Sequence, residues 1–500
     1  VAGNEGDGSV LAGIVILRVR RLGNRTMSEM FNFDSRETVL VIGLGKSGLA
    51  STEVLRSRGV TVFATDEKPR SELGVAIAAI EGFGATFVAP DELDSLWARL
   101  NSAVLSPGVP PTSPVVQAVN RANVPVVGEI EVAYRLCGAP IVAVTGTKGK
   151  STTTALIGHL LRGCGRNVRV GGNIGNPLIK EVLGTSEDDW VVAEVSSFQL
   201  ETIRSFRPRV AVLLNLAPDH LDRYYSMDEY AEAKYRIFAN LSMSDWFVGN
   251  LDDPRIAALH WRHEETRVQA RQLWFTLGAR HPSTSLRAGS ATMYLQHGML
   301  TYAPIVGDPR PVPVVPREEI PLAGDHNVQN AMAALLAALA VGCEPEALRT
   351  AIASFRPMAH RLEPVAEIDG VLYVDDSKST NPGSVIAALH SYDRPIVLIA
   401  GGRAKGTSFD DMGAAIRERA KALIVIGEAG DEIGRVSHPR LVVRASSMDD
   451  AVRRARDVAE PGDVVLLSPG CASFDMFTSA EDRGEKFSAA VGALREPAGA

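Results

Sequence analysis

Three places where an apolar, β-branched run feeds a polar, glycine-bearing turn predict an α/β protein of three domains. Val39–Gly48 (V-L-V-I-G-L-G-K-S-G) reads as a strand opening into G-x-G-x-x-G, and Pro140–Ser151 (P-I-V-A-V-T-G-T-K-G-K-S) as a strand, a turn and a helix start. Strands at Val371–Val374, Ile396–Ala400, Leu423–Ile426 and Val464–Leu467, with helical runs between them, form a second doubly wound pattern. The 500 residues leave room for each domain to bury its own core. The boundaries suggested are 27–128, a Rossmann-like domain; 129–356, a central P-loop-type α/β domain; and 357–500, a second Rossmann-like domain. Residues 1–26 show no clear pattern, Met27 is a more natural start, and this leader is left unassigned.

Composition narrows the partners. A net charge of −7 gives no broad basic surface for nucleic acid or anionic membrane. The four cysteines (Cys137, Cys164, Cys343, Cys471) have neither metal spacing nor the look of a disulfide framework, which fits a reducing cytoplasm. No run approaches the roughly 18 apolar residues of a membrane helix. Ala331–Val341 is Ala-rich and short, so it reads as a buried helix. Val10–Leu17 is preceded by acidic residues and followed by Arg18, Arg20 and Arg21, the reverse of a signal peptide. Small-molecule partners, no nucleic acid and no membrane insertion are expected.

In the first domain the G-x-G-x-x-G turn places Gly45, Lys46 and Ser47 at a helix start, and a second strand, Val60–Ala64, ends at Asp66. An acid about 20 residues after the glycines can hold a ribose hydroxyl. Read alone, this is a dinucleotide fingerprint and points to an NAD-dependent dehydrogenase. The chemistry asks only for a diphosphate on a helix N-terminus with a sugar beyond it, so a UDP-sugar satisfies it equally; a glycine-rich turn that binds nothing is the plain alternative.

The central stretch carries the sharper signal. Backbone N–H groups of Gly146, Thr147, Lys148 and Gly149 at the start of a Thr152–Leu161 helix would cradle phosphate. Lys150 would reach the terminal phosphates, and the Ser151 hydroxyl would ligate Mg²⁺, with Thr152 beside it. The strict pattern G-x-x-x-x-G-K-[ST] is not met, because its first position is Val144. A junction with an incidental lysine is the alternative. Further on, Gly171–Gly175 presents Asn173, and Trp190–Ser197 is a buried strand delivering Glu194 and Ser196. A carboxylate at a buried strand end near a phosphate loop suits Mg²⁺, or else a structural ion pair. Strand Val210–Leu214 runs into Asp219, His220, Asp222 and Arg223 at the edge where open α/β sheets place ligands. On pattern alone Lys234, in a Glu229–Phe238 helix, is a solvated lysine. Asn327 and Asn330 share a ligand or cap the Ala-rich helix. Residues 281–290 read as a surface loop. In the third domain three strand ends carry polar turns, at 375–381, 401–406 and 468–473, which should cluster on one sheet edge and suit an anionic substrate.

The chain resembles the Mur ligases over about 39–487. The resemblance rests on T-G-T-K-G-K-S-T (145–152), G-G-N-I-G (171–175), E-V-S-S-F-Q-L-E (194–201), D-H-L-D-R-Y (219–224), A-K-Y-R-I (233–237), H-N-V-Q-N (326–330), H-R-L-E (360–363), D-D-S-K-S-T-N (375–381) and S-P-G-C-A-S-F-D (468–475). It implies an ATP-dependent amino-acid ligase of peptidoglycan precursor synthesis, the pathway behind cell shape and division. The branch it suggests adds D-glutamate to UDP-N-acetylmuramoyl-L-alanine through an acyl phosphate and a tetrahedral intermediate.

By that resemblance Gly45, Lys46, Ser47 and Asp66 lie along UDP, while Asn173 and Ser196 line the substrate channel. Gly146–Thr152, with Asn327, Asn330, Arg361 and Asp376, hold ATP. Ser151, Glu194, His220 and Lys234, the last as a CO₂-derived carbamate, hold two Mg²⁺. Lys378, Thr380, Lys405 and Ser473 receive D-glutamate. The catalytic set is then Lys150, Glu194, His220 and Lys234, in a cytoplasmic monomer. The chain departs from the family pattern at Lys148, where Asn is common, at Lys68, where Arg is frequent, and at Ala480, where an aromatic often precedes the Glu-Arg-Gly turn. Other readings are a sibling Mur ligase, a folate polyglutamate synthase, a dehydrogenase and a non-ligase P-loop ATPase.

Overall fold

The computed structural model describes residues 32–173, 175–219, 223–261, 268–278, 290–304, 310–356, 359–404, 408–437 and 441–495. The expectations placed on the leader, His220, Asp222, 281–289 and Lys405 lie outside these residues. The chain divides into two compact units: one contains the described residues through Arg135 with Thr202–Arg204, the other Leu136–Glu201 and the chain from Ser205 onward.

In the first unit β1 (Thr38–Ile42), β2 (Thr61–Thr65), β3 (Thr86–Phe87), β4 (Ser102–Leu105) and β5 (Val126–Gly128) pair in the order β3-β2-β1-β4-β5. All pairs are parallel. Parallel strands are covered on both faces, so their sequences run continuously apolar instead of alternating, and Val39–Ile42 is buried throughout. One face packs Leu40, Ile42, Phe63 and Leu105 against Val115, Val116 and Val119. Those three valines lie on helix Pro114–Arg121, which Ser113 caps by accepting from the Val116 N–H. The order reverses between β1 and β4, the switch point where such sheets open a crevice. Arg204 is held in this unit by Glu131, which accepts its N–H at 2.9 Å, and by the Val126 carbonyl, 3.0 Å from its guanidinium.

The second unit contains two sheets. Strands β6 (Ile141–Thr145), β7 (Asn167–Gly172), β8 (Asp189–Glu194), β9 (Val210–Leu213), β10 (Trp246–Asn250), β11 (Arg271–Thr276), β12 (Ser290–Gln296), β13 (Met299–Ala303) and β14 (Val312–Pro316) make the larger. Their order is β14-β13-β12-β11-β10-β9-β6-β8-β7, parallel up to β12 and antiparallel beyond. Helices Lys150–Gly163 and Asp325–Val341 share one core with it. The second helix begins six residues before the Ala-rich run. Asn327 and Asn330 therefore fall inside it, and neither caps its end. Ala331 to Ala338 are buried without exception, since methyl-sized side chains let the helix lie close to its neighbours.

The smaller sheet has β15 (Glu363–Ile368), β16 (Val371–Asp375), β17 (Ile396–Gly401), β18 (Ala420–Ile426), β19 (Val442–Arg444) and β20 (Val464–Leu467), ordered β15-β16-β20-β17-β18-β19. Its first two strands form a hairpin through Asp369-Gly370, both at positive φ, the turn chemistry that matches strand twist. The remaining pairs are parallel. Because β16, β20 and β17 are neighbours, the turns after Asp375, Leu467 and Gly401 emerge side by side, as the sequence led us to expect.

Candidate active site

The phosphate loop leaves β6 at Thr145 and enters helix Lys150–Gly163 through Gly149, which is in the left-handed region (φ 81°). A Cβ there would collide with the Asn330 amide, so glycine is required by conformation and by space. Asn330 donates to Asn327 Oδ1 at 3.0 Å, and Asn327 to the Ala323 carbonyl at 2.7 Å. These two asparagines support the loop from behind. Asn215, at the end of β9, grips it from the other side. Its Oδ1 accepts the Lys148 N–H at 2.8 Å, and its Nδ2 donates to the Lys148 carbonyl at 3.1 Å.

Two lysine side chains converge on the Gly146 carbonyl: Lys150 Nζ at 3.0 Å and Lys234 Nζ at 2.8 Å. Lys150 also donates to the Thr147 carbonyl at 2.9 Å. Lys234 is only 2% exposed, which overturns its reading as a solvated lysine. Helix Met227–Tyr235, capped by Ser226, turns that side chain inward, against the Tyr230 ring and toward the loop. Burial holds its pKa well below the ordinary lysine value, and repulsion from Lys150 adds to this. Lys150 is lowered by burial as well, with Glu194 and Asp219 partly offsetting.

Glu194 ends β8 almost fully buried, at 1% exposure. Its Oε1 accepts from Asn173 Nδ2 at 2.8 Å, while its Oε2 is buried and has no hydrogen-bond partner among the described residues. The glycine pair before Asn173 makes this approach possible. A Cβ on Gly172 (φ 111°) would strike the Glu194 carbonyl, which itself accepts from the Asn173 N–H at 2.9 Å. A buried carboxylate oxygen left without a partner is costly, and a divalent cation is the chemistry that relieves it. Glu194 with the Ser151 hydroxyl at the helix start therefore fits Mg²⁺. Ser196 caps Ser197–Leu200, accepting from the Gln199 N–H at 3.2 Å.

On the smaller sheet, Asp376 is 1% exposed and accepts from the Ser468 hydroxyl at 2.8 Å and from the Ser379 hydroxyl. Burial pushes its pKa up to about 6. A carboxyl raised in the fold has its full stabilising effect below its unfolded pKa and loses it as pH climbs through the folded one. Asp376→Asn should thus gain on the wild type by about 2 kcal/mol as pH rises from about 4 to about 7. Chemical denaturation at the two pH values checks this, and an equal difference at both would contradict it. Arg361 is close enough to Lys148 and Lys150 to lower their pKa values, and to Asp376 to oppose its rise. Lys378 Nζ lies 3.6 Å from Glu481, Thr380 sits on the same turn, and Ser473 is buried at the start of the turn leading to helix Ala480–Ala493.

Two functional supports escaped the sequence reading. Asn215 gave a signal, a polar side chain directly at a buried strand end. Arg483 is fully buried, donating to the Cys471 carbonyl at 3.1 Å and the Ser377 carbonyl at 2.8 Å, so it ties two of the three turns together. Its place on an acidic, polar helix start disguised it. In the first unit, Gly45 caps helix Lys46–Ser57, with Lys46 exposed and Ser47 half-buried at its start. Asp66 Oδ2 accepts the Leu44 N–H at 2.7 Å and Oδ1 the Lys68 N–H at 3.0 Å, so this acid shapes the glycine turn as well as facing it.

A phosphate loop with a buried carboxylate and a second buried lysine, beside a further α/β sheet presenting polar turns, defines a nucleoside-triphosphate-using α/β enzyme. Residues 37–128 match the Mur ligase MurD-like N-terminal domain, 144–338 the Mur ligase middle domain and 360–471 the Mur ligase glutamate ligase domain. The UDP-N-acetylmuramoylalanine--D-glutamate ligase of Pelotomaculum thermopropionicum is 44% identical over 472 residues, covering 92% of this chain and 99% of that one. The Geobacter metallireducens protein of the same name is 40% identical over 92% and 98%. Among solved structures, the MurF ligase from Thermotoga maritima in complex with ADP aligns with a TM-score of 0.57 at 16% identity, covering 93% of this chain and 97% of that one. A pseudomurein peptide ligase type C from Methanothermus fervidus gives 0.56 at 17%, over 92% and 100%; both show the shared fold. The chain belongs to the Mur ligase family.

Proposed function

We propose that this enzyme joins D-glutamate to UDP-N-acetylmuramoyl-L-alanine with cleavage of ATP, a step of peptidoglycan precursor synthesis in the cytoplasm. The observation that supports it most is near-complete, 44% identical correspondence to a relative named for that activity, combined with the half-buried Lys150 and the buried Glu194 and Lys234 around one loop. The L-alanyl carboxylate attacks the terminal phosphate of ATP, giving an acyl phosphate and ADP. The amine of D-glutamate then adds to the acyl carbon, and the tetrahedral intermediate expels phosphate.

This chain supplies position and charge to that sequence. Loop amides 146–149 and the start of helix Lys150–Gly163 hold the phosphates, and Lys150 neutralises charge on the transferring group. Two Mg²⁺ ions would supply charge neutralisation and orientation. Ser151 and Glu194 would hold one ion. Burial favours the neutral amine of Lys234, the form that combines with CO₂ and loses a proton, and the resulting carbamate would hold the other ion with His220. Asn173 orients Glu194. Arg361 and Asp376 face the nucleotide, with Asn327 and Asn330 supporting the loop. Lys378, Thr380, Lys405 and Ser473 receive the carboxylates of D-glutamate. Gly45, Lys46, Ser47 and Asp66 take the uridine nucleotide.

Phosphate release from ATP and UDP-N-acetylmuramoyl-L-alanine should depend on D-glutamate and not respond to L-alanine, L-lysine or meso-diaminopimelate. Release that ignores D-glutamate would overturn the assignment.

A further inference from the structure

Lys148 is the one phosphate-loop side chain whose charge is directed out of the loop. The Asn215 amide clamps its backbone on both sides, which fixes where the side chain leaves. Its Nζ donates to Asn381 Oδ1 at 2.9 Å and lies 3.9 Å from Asp219 Oδ2. Cε and Nζ rest against Gly383, 3.5 Å from where a Cβ on that residue would stand. Asn381 closes the 375–381 turn and caps helix Pro382–Leu389, its Oδ1 also accepting the Ser384 N–H at 3.0 Å.

This geometry is poorly matched electrostatically without an anion. A cation at a helix N-terminus opposes the helix dipole. Lys150 and Arg361 add positive charge beside it, and Asp219 is the acid that favours its charged form. A bound triphosphate would supply the missing negative charge where these cations gather, stabilising the bridge to Asn381. The turn it holds carries Lys378 and Thr380.

We propose that Lys148 is a positioning residue that locks the 375–381 turn onto the phosphate loop, so that nucleotide binding raises affinity for the incoming amino acid. This rests on the reading of that turn as the D-glutamate site. By linkage the effect is reciprocal, each ligand tightening the other.

A double-mutant cycle tests it. Lys148→Met keeps the stem and removes the charge; Asn381→Ser keeps a helix cap and is too short to reach the lysine. Each single variant should raise the KM for D-glutamate about tenfold, consistent with a hydrogen bond to a charged group, and the double variant should be no worse than either. An unchanged KM for D-glutamate, a rise confined to the KM for ATP, or effects that multiply in the double variant would overturn the proposal. Amide exchange at 383–386 reads the same coupling without the ligase reaction. A non-hydrolysable ATP analogue should slow exchange there in the wild type and not in Lys148→Met. Should D-glutamate fail to stimulate wild-type phosphate release while this contrast persists, the function reading falls and the coupling stands. Equal slowing in both proteins, or none in the wild type, sinks the coupling.

Discussion

Lys234→Ala should lower turnover by on the order of 10²–10³-fold, the cost typical of removing one pre-positioned electrostatic group. The lysine is buried between the Tyr230 ring and the Gly146 carbonyl, where a full positive charge is both desolvated and repelled by Lys150. A cation that crowds the loop lysine is of little use. A neutral amine that combines with CO₂ becomes a carboxylate, and the sign of its interaction with Lys150 and with Mg²⁺ reverses. Formate or acetate entering the space left by alanine should therefore restore part of the rate, and methylamine should not. Rates of Lys234→Ala at different bicarbonate concentrations should be flat, whereas the wild type depleted of CO₂ should recover as it is returned. Wild-type turnover in the alanine variant, or rescue by an amine, would exclude the carbamate.

Glu194→Gln should reduce turnover by about 10²-fold or more and raise the Mg²⁺ concentration needed for half-maximal rate. The amide oxygen of glutamine can still accept from Asn173 Nδ2, so the G-G-N-I-G turn keeps its anchor and the fold should melt normally. What is lost is the charge on the oxygen that has no hydrogen-bond partner among the described residues. Asn173→Ala makes the complementary case: it leaves the carboxylate charged but unoriented, and its Mg²⁺ titration should shift less than that of Glu194→Gln. Initial rates against Mg²⁺ concentration at fixed ATP read both. Identical titration curves for Glu194→Gln and the wild type would remove Glu194 from the metal site.

Much of this was legible in the residues, for physical reasons that differ from place to place. Strands at 39–42, 141–144 and 464–467 could be read because parallel strands buried on both faces have uninterrupted apolar sequences. Gly149-Lys150-Ser151 was legible because a nest for phosphate needs glycine before the helix and lysine within it. Lys234 was not. Periodicity reports which helix face is apolar, and a single charged residue on that face looks like noise until the neighbouring loop is in place. For Asn327 and Asn330 only the capping alternative fails, because their helix runs unbroken from 325 to 341 with Gly324 before it. Ser196 and Asn173 show a related limit. A polar residue at a strand end near ligands can serve the backbone or a neighbouring acid, and only geometry separates the two. Arg483 needed two turns from distant parts of the chain to be assembled before its role as their common donor could be seen.

The central claim is that ATP is spent on the L-alanyl carboxylate, with Lys150 and Glu194 organised around that transfer. Carboxylate oxygen labelled with ¹⁸O in UDP-N-acetylmuramoyl-L-alanine follows it directly. During turnover with D-glutamate, one labelled oxygen per product formed should appear in the released phosphate. Phosphate that emerges unlabelled while product accumulates would contradict it.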